Sequence, residues 1–117
     1  MSKIGEFKPK YPADPLRELS GWIRTVAFEG NLSIKREGNN LSQNAPTHRV
    51  YIATEGRDPI EVGAAWINTM TRGNRQGEEF LSGTIDDPSF ATPLAFGVFQ
   101  ESEDLCVASW RRRKSAL

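Results

Sequence analysis

The amino-acid sequence predicts an all-β protein, a small antiparallel meander of about six to eight short strands forming a partly closed barrel or a sandwich. Three observations lead there. Apolar residues recur with a period near two over short runs, as half-buried strands require. Clusters of Gly, Pro, Asn and Asp separate those runs at near-regular intervals. No stretch keeps apolar residues at helical spacing for three turns, and closure into a barrel would remove the edges that an open sheet leaves exposed.

Taken in order, residues 1–18 hold Pro9, Pro12 and Pro15 and read as an irregular lead-in containing a short strand at Ile4–Lys8. A single helical turn is expected around Pro15–Leu19 with Asp14 as its N-cap. From Leu19 to Phe28 the run LSGWIRTVAF places Trp22, Arg24, Val26 and Phe28 on one face. Gly21, Ile23, Thr25 and Ala27 fall on the other. Gly30-Asn31 marks a tight turn, and Leu32–Arg36 alternates again with Leu32 and Ile34 inward, a hairpin pattern. Residues 37–47 (EGNNLSQNAPT) form a polar surface loop. His48–Thr54 is a strand, Glu55–Pro59 a turn, and Ile60–Thr69 a strand whose Trp66, in VGAAWI, reads as core. Met70–Gly77 is a loop with two arginines and no acid. Glu78–Ile85 is a strand stopped by Asp86-Asp87-Pro88, and Leu94–Gln100 and Leu105–Arg111 make a last hairpin around Glu101–Asp104. The expected domain runs over residues 19–111, with 112–117 a flexible basic tail.

At 117 residues the chain is long enough for one core without metals or disulfides. Lys+Arg and Asp+Glu are 15 each, so net charge selects no partner. The distribution is uneven. Residues 1–50 carry 8 basic and 5 acidic groups, residues 51–105 carry 3 and 10, and the last twelve carry 4 and none. Opposite potentials on different faces follow. No apolar run approaches the roughly 18 residues of a membrane span, and no signal-peptide pattern opens the chain. A cytoplasmic protein with no membrane association is expected.

The chemistry of catalysis finds little purchase. His48 is the one imidazole and opens a strand, where packing is the commoner role. Cys106 sits mid-strand among apolar residues, which points to a buried, inert thiol. One histidine and one cysteine make a zinc site improbable. Asp86-Asp87 before a proline reads as turn capping rather than a cation site. Neither a catalytic residue, a metal, a cofactor nor a small-molecule substrate is implied.

What remains is basic and aromatic. Arg72 and Arg75 lie on the acid-free loop, and Arg111, Arg112, Arg113 and Lys114 extend past the last strand. Trp22, two residues before Arg24, and Trp110, next to Arg111, read as half exposed; Trp110 offers a base-stacking platform beside the tail cations. Those loop and tail residues with Trp110 are the candidate nucleic-acid contacts.

The blocks NAPTHRVY (Asn44–Tyr51), EVGAAW (Glu61–Trp66), EFLSGTIDDPSF (Glu79–Phe90) and SWRR (Ser109–Arg112) resemble successive blocks of the bacterial family called domain of unknown function 736. IGEF (Ile4–Phe7) and GWIRTV (Gly21–Val26) resemble its N-terminal blocks. The resemblance implies a small cytoplasmic protein, often encoded on plasmids and mobile elements of proteobacteria, with no assigned catalytic residues. The expected function is a non-enzymatic accessory protein of plasmid or mobile-element maintenance or transfer that binds single- or double-stranded nucleic acid. The alternative is a protein–protein module acting on a host or conjugation protein through an aromatic sheet face and acidic rim. Convergence of Arg24, Arg49, Arg72, Arg75 and the tail on one face would favour the first; scattered cations beside an apolar patch favour the second.

Overall fold

The computed structural model describes residues 3–26, 28–37, 45–71, 73–88, 90 and 92–110. Eight antiparallel strands follow one another around a closed barrel: β1 (Lys3–Pro9), β2 (Glu18–Arg24), β3 (Glu29–Arg36), β4 (His48–Thr54), β5 (Arg57–Thr69), β6 (Glu79–Ile85), β7 (Leu94–Ser102) and β8 (Leu105–Trp110). Each strand pairs with its neighbour in sequence, and β1 pairs with β8 to close the ring. The expected all-β meander is what the chain forms, and between barrel and sandwich it is the barrel. No helix of the described residues is long and apolar enough to cross a membrane.

Period-two alternation decides what points inward. Phe7, Leu19, Ile23, Leu32, Ile34, Val50, Ala65, Leu81, Ile85, Phe96, Val98, Cys106 and Ala108 fill the interior and are at most 2% exposed. An eight-stranded barrel is just wide enough for side chains to fill, and this one fills it by setting large residues opposite glycines. Phe7 pairs with Gly21, Ile23 with Gly5, Ile85 with Gly63, and Phe96 with Gly83. A Cβ at Gly83 would lie 2.6 Å from the Phe96 ring, and one at Gly21 or Gly63 would collide with the facing strand's backbone. Gly63 pairs with β4 on one side and β6 on the other, beside a register shift between Val50 and Tyr51. Such shifts bend strands and let a sheet close.

Several boundaries differ from the sequence reading. The strand in the lead-in is a full member of the barrel, so the β domain starts at Lys3 and not at Leu19. Residues 10–17 form turns with no helix, Asp14 accepting from the Arg17 amide through its carbonyl. The β2–β3 turn falls at Thr25–Phe28, where Thr25 and Phe28 bond backbone to backbone, and Gly30-Asn31 lie inside β3. Arg57, Asp58 and Pro59 belong to β5, because Glu55-Gly56 alone turns the chain, with Gly56 at a φ of 70°. That left-handed value suits glycine.

The barrel ends are stoppered. At one end Phe28 and Phe90 meet edge to face with centroids 5.1 Å apart, Phe90 being held by a bond from its amide to the Asp87 carbonyl. At the other end Leu16 packs against the core from the β1–β2 connection.

Candidate interaction surface

A closed barrel satisfies its apolar residues inside, so apolar residues on the outside need a separate account. On β6–β8 the positions between the buried ones include Phe80, Phe99 and Val107, all half-buried. The rings of Phe80 and Phe99 stack at 5.0 Å and 16°. Phe99 stands opposite Val107, and Val107 opposite Glu6, which in turn faces Trp22. The neighbouring outer row is Trp66, Ser82, Gly97 and Ser109, so one large ring is followed by three small residues. Trp66 is therefore an outer-face residue, and its assignment to the core is corrected: Ala65 takes the inward position. VGAAWI is apolar on both faces, which hides the alternation.

Beside this ridge lies a shallow groove of about 550 Å³ lined by Arg75, Glu78, Phe99, Gln100, Glu101, Val107 and Ser109. Phe99 and Val107 are its apolar walls, and the rest of its lining is polar. Glu78, Glu79, Glu101, Glu103 and Asp104 are exposed around the same end of β6–β8. Between residues 58 and 110 the sequence sets only Arg72 and Arg75 against these acids.

The sequence-predicted contacts do not assemble into one site among the described residues. Arg72, Arg111, Arg112, Arg113 and Lys114 lie outside the described residues. Arg75 is compensated: its Nε donates to the Glu78 carboxylate at 2.5 Å and its Nη2 to the Gln100 carbonyl. The loop Met70–Gly77 is acid-free, but its Arg75 pairs with the residue that follows the loop. Trp110 is 39% exposed and pairs with Phe96. Arg75 reaches Gln100 instead, four residues or about 13 Å away along β7. Trp22, as expected, is half exposed, at 40%.

Other cations are distributed over the opposite side. Lys35 and Arg49 stand directly across β3 and β4, and Lys35 Nζ lies 5.8 Å from the centre of the Tyr51 ring. The Tyr51 hydroxyl donates to Glu37 at 2.6 Å, a bond that pushes its pKa up to about 12. Arg24 ends β2 at the far rim. Arg24, Arg49 and Arg75 thus sit in three sectors of the barrel, while the apolar ridge is continuous.

The imidazole of His48 and the thiol of Cys106 are core groups. His48 is completely buried, with Nε2 2.5 Å from the Leu16 carbonyl and Nδ1 2.8 Å from Thr47 Oγ1. Burial holds its pKa below 6.5. Cys106 is buried with its thiol pushed up to about 11 by desolvation, so the nucleophilic thiolate is scarce at neutral pH. Among the described residues no group of three or more His, Cys, Asp and Glu gathers to hold a metal.

No curated protein and no solved structure matches the chain. The model of the family described as "Protein of unknown function (DUF736)" matches residues 3–113. That match starts with β1, runs through every strand of the barrel and passes the end of β8: the chain belongs to the DUF736 family.

Proposed function

We propose that this protein acts by binding another protein rather than by catalysis, with the outer face of β5–β8 as its contact surface. The observation that carries the reading is the aromatic ridge Phe80–Phe99–Val107 outside a barrel whose interior is already filled. An apolar centre with a polar border is the general anatomy of a protein interface. The acidic border calls for a partner patch that is apolar at its centre and basic at its edge. Nucleic-acid binding through Arg72, Arg75, Trp110 and Arg111–Lys114 draws less support, because Arg75 is neutralised by Glu78 and surrounded by carboxylates that repel phosphate. The cellular setting we infer is the cytoplasm, as an accessory protein of plasmid or mobile-element maintenance or transfer that modulates a host or conjugation protein. Charged outward positions such as Lys8, Lys35 and Glu61 around an apolar interior are the inverse of a lipid-facing barrel.

The test is co-purification from the source cell with and without nuclease, using the wild type, Phe99→Asp and Arg49→Glu. The reading expects a protein partner that survives nuclease, is retained by Arg49→Glu and is lost from Phe99→Asp while that variant keeps its thermal melt. Capture that disappears with nuclease, or that Phe99→Asp leaves intact, overturns it.

A further inference from the structure

The groove already holds a guanidinium. Arg75 reaches into it from the β5–β6 loop, one nitrogen on the Glu78 carboxylate and another on the Gln100 carbonyl, beside Phe99 and Val107. The loop does not depend on that side chain for its shape. Backbone bonds run from the Met70 amide to Glu78, from Gly77 to Met70, from Gln76 to Gly73 and from Glu78 to Arg75. Gly73 and Gly77 supply its left-handed positions at φ 83° and 93°. The Gln100 carbonyl belongs to a break in the ladder, since β7 and β8 shift register between Gln100 and Ser102. Shifts of this kind leave backbone groups unpaired by the neighbouring strand. Glu101, the extra residue at that break, lines the same groove, and no ion pair engages it among the described residues. Acceptor capacity in the groove therefore exceeds what Arg75 consumes.

Resting on the contact face proposed above, we propose that this groove is an arginine-recognition subsite, that Arg75 is its resident occupant, and that an arginine of the protein partner displaces it. The chemistry favours that one side chain. A guanidinium is planar, carries five donors and stacks on an aromatic face, so it can lie on Phe99 while bonding Gln100 and the carboxylates of Glu78 and Glu101. Lysine offers a point charge without the fork.

A capped pentapeptide with arginine at its centre, and its citrulline counterpart of the same shape without charge, make the probe pair. Titration of the full chain is followed by the backbone amide shifts of Phe99, Gln100, Glu101 and Val107. Removing the internal competitor should tighten the arginine peptide at least tenfold in Arg75→Ala, and equally in Arg75→Gln should the alanine variant fold poorly. Adding Glu101→Gln to that background should weaken it fivefold or more, and citrulline should give no shifts. Equal affinities for arginine and citrulline, or no tightening on loss of Arg75, overturn the subsite. So does tightening produced instead by Arg111→Gln, Arg112→Gln and Arg113→Gln together, which would make the chain's own basic end the occupant. Where the peptide fails but Phe99→Asp still loses the partner, the contact face stands and the arginine subsite alone falls.

Discussion

His48 illustrates how much one buried ring can report. The Leu16 carbonyl only accepts, so Nε2 carries the hydrogen and donates it, while Nδ1 of the neutral ring accepts a hydrogen bond from the Thr47 hydroxyl. Burial lowers its pKa below 6.5, the Leu16 bond opposes that, Arg36 adds to it and Asp14 works against it. A depressed histidine stabilises the fold above the unfolded value of 6.5 and loses that contribution as pH falls from there toward the folded pKa. One proton gives a slope of at most about 1.4 kcal/mol per pH unit. Denaturation midpoints of wild type and His48→Gln should therefore approach each other as pH drops from about 6.5; parallel curves would show that His48 does not titrate. Gly83 offers a steric counterpart. Its missing Cβ is the space that the Phe96 ring occupies, so Gly83→Ala should cost about 1–3 kcal/mol by overpacking. Phe96→Leu in the same chain should recover part of that loss, as read by urea denaturation.

Among the elements, the segment between β6 and β7 folds Phe90 back onto Phe28, and the Asp87 carbonyl fixes the turn. A double-mutant cycle of Phe28→Ala and Phe90→Ala should yield a coupling of about 0.5–1.5 kcal/mol, the range for an aromatic pair; additive losses would mean that each ring packs independently. The strands themselves were legible wherever one face is apolar and the other polar. Leu32, Ile34 and Val50 announce their direction, as do the half-exposed Trp22 and the buried Cys106. Legibility failed where both faces are apolar, as around Trp66, and where a glycine in a strand imitates a turn, as at Gly30. The strand at Ile4–Lys8 was legible in the proline-rich lead-in, but its place as the closing strand of the barrel was not, because its pairing with β8 lies about a hundred residues away in sequence. The arginine-holding groove was out of reach for another reason. It depends on Glu78, Gln100 and Glu101 meeting across the β5–β6 loop and the β7–β8 break, a proximity no local pattern encodes.

For the whole molecule, closure rests on β1, which pairs with β2 on one side and β8 on the other. A chain beginning at Lys10 would leave β2 and β8 as two open edges, and exposed edges invite pairing between chains. That truncation should lose its cooperative melt and elute in size-exclusion chromatography as aggregate, whereas a monomer with native far-UV circular dichroism would show the seam to be dispensable. The seam also has a meaning in time. The first strand to leave the ribosome is hydrogen-bonded, in the finished molecule, to the last. At about 5–20 residues per second the stretch from β1 to the end of β8 takes roughly 5–22 s to be made, and for that interval β1 has no final neighbour on one side. Closure of this barrel thus waits by geometry for its last strand, and until then the nascent chain is a sheet with one open seam.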